Sequence, residues 1–368
     1  MNLFSFIDKY GDYSFDEIAF TEVDNVIMAM LSYVDLEGIV SKNSFNPKKL
    51  SVVGEEFFLK HNQKEKNIRT VKNAIKILRY IKDIKRYKDL LLYNYEYKFS
   101  GDNQFGALTI EINNDLIYVS FEGTDQLIGG WKEDFMMSYM FPVDSQKLAI
   151  NYVNRRFWFT RKKIILGGHS KGGNLALVAG MYANMFVLNK IVNIYNNDGP
   201  GLLSEYFNSK NYKNIEDKLI SIVPNYSVIG LLLNHRTDIE VIKSFRKSVL
   251  AHDTTTWVVN DLKFERTELS SFGKKFDEKL LEWLKSYELD ERKTFVLQLF
   301  DIFDRAKVVS LIDIMDNKKL IFTLITESKG LDRNTKVMLK ELLLLILECF
   351  KDASYDELIS MFNKNGEV

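Results

Sequence analysis

The chain has 368 residues, 46% of them hydrophobic and 27% charged, which is ordinary for a globular protein and excludes the disordered class. Fifty basic and fifty acidic residues cancel, so no overall field favours nucleic acid, and nucleic acid is not an expected partner. The lone cysteine, Cys349, excludes a disulfide framework and a cysteine-ligated zinc site. Its apolar surroundings predict a buried thiol.

The amino-terminal stretch MNLFSFIDKYGDYSF contains acids and has no basic region before a long apolar run, so it does not predict a secretory signal. The longest apolar run, residues 342–347, is far shorter than the ~20 residues that span a bilayer. These features predict a cytoplasmic protein with no transmembrane segment.

The first hundred residues are expected to be helical. Thr21 followed by Asp24 and by apolar residues at helical spacing predicts a capped amphipathic helix. A second helix is predicted over residues 64–88. Its basic face is interpreted as a solvated surface in preference to a site for an anionic partner.

From Gly106 the period becomes that of strands. ALTIEI, a turn at residues 113–115 and LIYVSF predict a β-hairpin where the sheet begins. Further helices are predicted over residues 146–159 and 173–186, and further strands over 164–166, 191–195, 219–223 and 239–242. This alternation predicts an α/β fold with a mostly parallel sheet covered on both faces.

Beyond residue 272 the pattern is helical, with helices predicted over residues 274–287, 293–301, 306–313 and 335–350. We therefore expect an N-terminal helical segment (1–100), an α/β core (101–270) and a helical C-terminal extension (271–368). No flexible spacer separates the extension, so it is expected to pack on the core as a lid or as a surface for a protein partner.

Residues 164–174 read IILGGHSKGGN, and Gly168, Ser170 and Gly172 fit the pattern G-x-S-x-G between a buried strand and a helix. A serine on such a sharp turn needs strained backbone angles, and the residues two before and two after it crowd each other. The alternative is a glycine-rich turn without chemistry. The context favours Ser170 as a nucleophile.

A triad enzyme with this kind of serine turn has its residues in the chain order Ser, acid, His. A catalytic histidine must therefore lie downstream of Ser170, and only His235 and His252 do. His252 is favoured because it lies in the polar stretch LAHDTTTW, from which a loop can reach back to the serine. His235 follows an apolar run that is typical of a helix or lid. His169 is expected to point away from the site, and His61 precedes the sheet.

The acid is assigned to Asp198, at the end of the strand that follows the nucleophile helix, where Gly-Pro-Gly forces a sharp exit. An Asx-type turn cap is the alternative role for an aspartate before glycine. Asp238 and Asp253 are lesser candidates.

The motifs VSFEGTDQLIGGWKEDF, GGHSKGGNLA, NNDGPG, SIVPNYSVIG and HDTTTW together resemble the α/β-hydrolase superfamily, specifically its lipase class 3-like branch and an uncharacterised bacterial family within it. The resemblance covers roughly residues 21–260. It implies that the N–H and hydroxyl of Thr124, with the N–H of Lys171, stabilise an oxyanion. It also aligns Trp131 and Asp134 with family positions, for which a structural role is the alternative.

Two positions depart from the class 3 pattern. Lys171 stands where these lipases usually have leucine, and Ser227 stands where the pattern would place the catalytic aspartate. Because a serine cannot hold an imidazolium by charge, either Asp198 has taken over this role or the triad is incomplete.

The sequence thus predicts a serine hydrolase that cleaves an acyl ester or lipid-like substrate through an acyl-enzyme, with Ser170, His252 and Asp198 as its triad. No metal or organic cofactor is implied. The alternative is a hydrolase-fold protein without activity that serves as a binding or regulatory module. Thioester or peptide hydrolysis is not separated from ester hydrolysis, because the acyl chemistry is shared.

Overall fold

The structure is a computed structural model that describes residues 1–60, 68–100, 103–124, 128–235, 239–308, 323–324 and 326–351. His61, Asp238 and most of the helix predicted over 306–313 lie outside these ranges, and the side chain of Cys349 is also outside the described part.

Eight strands of the described residues form one sheet in which each strand lies beside its successor in the chain. The pairs from β4 to β8 are parallel, and those from β1 to β4 are antiparallel. The strands are β1 Lys48–Lys49, β2 Leu91–Ser100, β3 Asn103–Asn113, β4 Leu116–Phe121, β5 Lys163–His169, β6 Ile191–Asn197, β7 Leu219–Pro224 and β8 Glu240–Ile242, with β9 Val259–Asn260 and β10 Lys263–Phe264 forming a separate pair.

Helices cover both faces of the sheet, as the alternation of elements predicted. The helices are α1 Leu3–Tyr10, α2 Glu22–Leu31, α3 Leu50–Lys60, α4 Arg69–Ile81, α5 Ile128–Met136, α6 Asp144–Arg156, α7 Lys171–Met181, α8 Met185–Leu188, α9 Lys210–Lys213, α10 Ser271–Lys285, α11 Leu289–Arg305 and α12 Arg333–Lys351. No helix within the described ranges is both long enough and apolar enough to cross a bilayer.

Two hydrophobic clusters attach these helices to the sheet. Side chains of α1, α2 and α4 join Tyr118 and Ile165 on one face. Side chains of α6 and α7 join Val119 and Leu166 on the other face. Consecutive residues of β4 and of β5 therefore serve opposite cores, as the period of a strand requires.

The N-terminal hundred residues differ from the prediction. The capping box of Thr21 and Asp24 begins α2 as expected, whereas the helix predicted to reach residue 88 ends at Ile81. The sheet begins before Gly106, because LLYNYEYKFS forms β2 and pairs with β3. Its tyrosines favour a strand. The sheet thus includes residues on both sides of the boundary proposed at residue 100.

The C-terminal helices pack against the region around α5. Phe272 and Leu280 of α10 share a cluster with Met137 and Leu231. Side chains of α11 and α12 form a second cluster, against which Trp131 packs. These contacts place one end of the extension beside the carboxyl edge of the parallel strands.

Candidate active site

Ser170 occupies the turn between β5 and α7 with φ 59° and ψ −134°, angles that are strained for a residue with a side chain. A Cβ on Gly172 would lie 2.1 Å from the carbonyl oxygen of Phe121, and one on Gly168 would lie 2.3 Å from the carbonyl carbon of Gly172. Larger side chains are therefore excluded at both glycines. The crowding predicted from the sequence is present on this turn.

Two neighbouring loops lie directly against Ser170. A Cβ on Gly123 would lie 3.0 Å from Cβ of Ser170, so the segment Phe121–Thr124 passes beside the serine. The Ser170 N–H donates to Asn197 O at 2.9 Å, which brings the end of β6 to the same point. The loops after β4, β5 and β6 thus meet around one hydroxyl, at the edge where α/β sheets usually bind ligands.

Asp198 and His252 form a hydrogen-bonded pair, with 2.6 Å between Asp198 Oδ2 and His252 Nδ1. Asp198 is fully buried. Its Oδ1 accepts from Ser227 Oγ at 2.5 Å and from the Gly230 N–H at 3.1 Å. The serine found at the position of the class 3 aspartate therefore donates a hydrogen bond to the carboxylate of the preceding strand.

The ring of His169 contacts the backbone of the turn that carries His252. His169 Nε2 lies 2.9 Å from the carbonyl oxygen of His252, and the two rings are 4.3 Å apart. Burial lowers the pKa of His169 well below its usual value, so its ring is neutral. Because a carbonyl only accepts, Nε2 carries the proton, which leaves Nδ1 as an acceptor 3.2 Å from the Tyr33 hydroxyl.

His169 and Trp257 are the residues whose importance the sequence reasoning missed. His169 was expected to point away from the site, and it instead supports the backbone of His252. Trp257 is buried and donates from Nε1 to Ala251 O at 2.9 Å, which fixes the same turn. The aromatic ending of LAHDTTTW was a signal for such an anchor.

The other acid and histidine candidates have different surroundings. Nε2 of His235 is buried without a hydrogen-bond partner among the described residues, and burial lowers the pKa of His235 to about 4. Asp253 accepts from Arg69 Nε at 2.9 Å and from the Thr255 N–H at 3.0 Å. Neither residue contacts Ser170 or His252 in the way that Asp198 contacts His252.

No hydrogen bond of the Ser170 hydroxyl occurs among the described residues. The expected bond from this hydroxyl to His252 is thus not formed here. In many enzymes such a bond tightens only when substrate binds. His252 Nε2 remains the ring nitrogen not used by Asp198, and the side chain of His252 is 23% exposed.

Thr124 follows β4 and is buried. Its hydroxyl donates to Asp134 Oδ2 at 2.6 Å, whereas the resemblance implied that it faces an oxyanion. Burial raises the pKa of Asp134 to about 6, although the Lys171 ammonium opposes this change. Asp134 therefore holds the Thr124 side chain. Of the two Thr124 donors that the resemblance implied for an oxyanion, the backbone N–H remains.

The side chain of Lys171 is buried and points away from solvent. Its Nζ lies 3.1 Å from Glu133 Oε2 and 3.0 Å from Gln104 O, and the other oxygen of Glu133 accepts from the Ser145 N–H. The lysine that replaces the usual leucine thus ties the start of α7 to α5. As the first residue of α7, Lys171 has a backbone N–H with no partner inside the helix.

An apolar cavity of about 310 Å³ lies beside these residues. Asp134, Pro200 and Ile229 line it from the core, and Phe276, Trp283 and Val296 line it from α10 and α11. Asp134 contacts Thr124, and Pro200 follows the Asp198–Gly199 turn, so the cavity borders both halves of the site. Its walls suit an apolar chain.

A strained serine turn beside a buried aspartate that is hydrogen-bonded to a histidine, at the carboxyl edge of a mostly parallel sheet, is typical of a hydrolase of the α/β-hydrolase fold and lipase-like type. The Mbeg1-like family model matches residues 81–301, which is more than half of the chain, and the chain belongs to this lipase class 3-like family.

Among solved structures, the crystal structure of M37 lipase aligns with the chain at 14% identity and a TM-score of 0.34. The alignment covers 56% of this chain and 68% of the lipase. No match was found among curated proteins.

Proposed function

We propose that this protein is a serine hydrolase that cleaves a carboxylic ester of an apolar acyl chain through an acyl-enzyme. The observation that carries the proposal is the 2.6 Å contact between Asp198 and His252, because it stands next to a serine in a strained strand-to-helix turn. A buried carboxylate on Nδ1 sets the tautomer in which Nε2 is free to accept a proton.

In the proposed reaction Ser170 Oγ attacks the ester carbonyl while His252 Nε2 takes the hydroxyl proton. His252 then gives this proton to the departing alkoxide, which leaves as the alcohol, and Ser170 holds the acyl group. Water next gives a proton to His252 and attacks the acyl-enzyme. The returning proton restores the serine as the carboxylic acid leaves.

Two backbone donors are proposed to stabilise the oxyanion, the N–H of Thr124 and the N–H of Lys171. The segment Phe121–Thr124 lies against Ser170, and Lys171 begins α7, so both groups are close to the serine. One such donor is worth about a hundredfold or more in rate. The Asp134 carboxylate, by holding the Thr124 side chain, is proposed to keep this segment in position.

The cavity supports the choice of an apolar acyl substrate. It is lined mainly by aliphatic and aromatic side chains and adjoins the Asp198 turn on one side and Asp134 on the other. About 310 Å³ is at the lower end of sites that hold small organic ligands, so a single extended chain fits better than a bulky ring system. In this proposal α10 and α11 supply one wall of the acyl site.

The test is turnover of a series of p-nitrophenyl esters together with labelling by a fluorophosphonate probe. Ser170→Ala is expected to abolish both without lowering the melting temperature, and Ser51→Ala, on α3 far from the site in sequence, serves as the matched control. Equal turnover by wild type and Ser170→Ala would reject the nucleophile. A wild type that neither reacts with the probe nor turns over any ester would favour the inactive binding module.

A further inference from the structure

A cluster of exposed apolar side chains lies at the amino-terminal edge of the parallel strands. Trp158 and Phe159 precede β5, and Met185 and Phe186 belong to α8, which precedes β6. Phe159 is 92% exposed and Phe186 59%, and the rings of Trp158 and Phe186 are 4.8 Å apart. We call these four residues the aromatic edge cluster.

The cluster rests on an ordered scaffold. Asn154 Oδ1 accepts from the Asn184 N–H at 2.7 Å, and the Asn184 side chain caps α8. Lys190 Nζ donates to the carbonyl oxygen of Trp158 at 2.9 Å. Two loops are thereby joined so that four large apolar side chains face water together. Single exposed apolar residues are common, whereas a fixed group of them marks a contact surface.

Cations flank Trp158 and Phe159 along the chain. Arg155, Arg161 and Lys163 are exposed, and within the described part of the chain their side chains have no ion-pair or hydrogen-bond partner. The nearby Lys162 and Arg156 are neutralised by Glu111 and Glu96 at 2.6 and 2.7 Å. Acids also lie at this edge: Asp115, whose carbonyl oxygen accepts from the Lys163 N–H, and Glu216 and Asp217, in the turn whose Lys218 donates to Leu188 O of α8. Lys190 and Lys218 donate only to backbone carbonyls, so they add two further positive charges that no carboxylate of the described residues neutralises. The local balance around the cluster is therefore positive, although the whole chain is neutral.

We infer that the aromatic edge cluster docks on the surface of an anionic lipid bilayer. Tryptophan and phenylalanine insert at the level of the lipid headgroups, and flanking lysine and arginine side chains bind anionic headgroups. Protein interfaces are also enriched in aromatic residues and arginine but depleted of lysine, so the excess of positive charge, and not the aromatic side chains, distinguishes a lipid surface here. The charge around the cluster therefore favours a lipid surface over a protein partner.

The inferred contact lies away from the candidate active site. Ser170 follows the carboxyl end of β5, and the cluster precedes the amino end of the same strand. A strand of this length spans roughly 20 Å. Docking by this edge would tether the protein to a bilayer and leave the edge with Ser170 and the cavity facing away from it. The inferred docking does not depend on the proposed activity.

The experiment is co-sedimentation of the full chain with vesicles of phosphatidylcholine and phosphatidylglycerol, compared with vesicles of phosphatidylcholine alone. We expect binding to the mixed vesicles only. Phe159→Ser with Phe186→Ser should weaken it roughly tenfold or more. Phe45→Ser, at a side chain that is 86% exposed elsewhere, is the matched control and should bind as wild type.

The charge is tested separately with Arg161→Gln and Lys163→Gln, each expected to weaken binding about fivefold. Melting temperatures show that each variant is folded. Absence of binding to the mixed vesicles, or equal binding by wild type and the double phenylalanine variant, would overturn the inference. A wild type that ignores vesicles but forms a dimer lost in that variant would overturn it in favour of a second copy of this chain.

Discussion

The two halves of the candidate site are stabilised in opposite ways. On the acid–base side, each oxygen of the Asp198 carboxylate accepts a hydrogen bond, and the His252 turn is held by neutral donors. On the oxyanion side, Lys171, Glu133 and Asp134 place three ionisable groups in a small buried volume. Oδ1 of Asp134 has no partner among the described residues.

Substitutions on the two sides are therefore expected to differ, some changing the rate of the reaction and others the stability of the fold. A hydrogen-bonded carboxylate that orients a histidine acts mainly through the transition state. A buried ion pair has already lost its hydration, so removing one member leaves an uncompensated charge and destabilises the fold. We therefore expect substitutions of Asp198 mainly to change activity, and substitutions of the buried ionisable side chains on the oxyanion side mainly to change stability.

The largest expected effect is that of Asp198→Asn. If Asp198 orients His252, this change should lower the rate of ester hydrolysis by up to about ten-thousandfold with the fold intact. Asp253→Asn is the control, because Asp253 contacts Arg69 and its own turn. Ester turnover and thermal melting are measured for both. An active Asp198→Asn enzyme would mean that Asp198 is only a turn cap.

The second effect is on stability. Lys171→Met keeps the backbone N–H but leaves Glu133 buried without its cation, so the free energy of unfolding should fall by about 3–5 kcal/mol. Adding Glu133→Leu should recover most of this loss. Lys147→Met, which breaks an exposed pair with Asp144, should change little. Denaturant melts that place Lys171→Met level with wild type would contradict the comparison.

A smaller effect is expected for Ser227→Ala. Loss of the hydroxyl that donates to Asp198 removes a charge-assisted hydrogen bond, which should lower kcat/KM about tenfold. Ser227→Thr keeps a hydroxyl and should retain more activity. If the alanine variant were fully active, Ser227 would have no part in holding the acid.

The last effect is on the pH dependence of stability and concerns Asp134. Folding raises its pKa to about 6, so the native state binds the proton more tightly than the unfolded chain and loses stability as pH rises from about 4 towards 6. Asp134→Asn lacks this loss. Relative to wild type, the unfolding free energy of Asp134→Asn should therefore increase between about pH 4 and pH 6, by on the order of 2 kcal/mol.

Denaturant melts at several pH values measure this difference, and Asp144→Asn, at an exposed carboxylate on α6, is the control. A constant difference between Asp134→Asn and wild type across the window would show that Asp134 is not perturbed.

Local patterns predicted the elements that depend on residues close together in the chain. The hairpin of β3 and β4, the strand-to-helix turn at Ser170 and the capped start of α2 follow from period, glycine placement and capping pairs. The tyrosine-rich β2 was missed although its alternating tyrosines favour a strand, and its pairing with β3 places it in the sheet.

Contacts between distant residues could not be read in the same way. The sequence named Asp198 and His252 as partners from chain order, from the place of Asp198 at a strand end and from the polar loop around His252, and it showed no contact between them. The donation from Ser227 to Asp198 and the support of His252 by His169 depend on how four loops meet at the edge of the sheet. The burial of Lys171 could not be predicted either, because its partner Glu133 lies 38 residues away on α5.

The α/β alternation and the crowded serine turn follow from the sequence alone, because periodicity and steric exclusion act over a few neighbouring residues. Long-range packing instead sets which carboxylate contacts His252, the burial of Lys171 against Glu133, and the apolar cavity that α10 and α11 close on one side. These outcomes follow from the packing of elements far apart in the chain, where burial and charge are set by neighbours that no local pattern specifies.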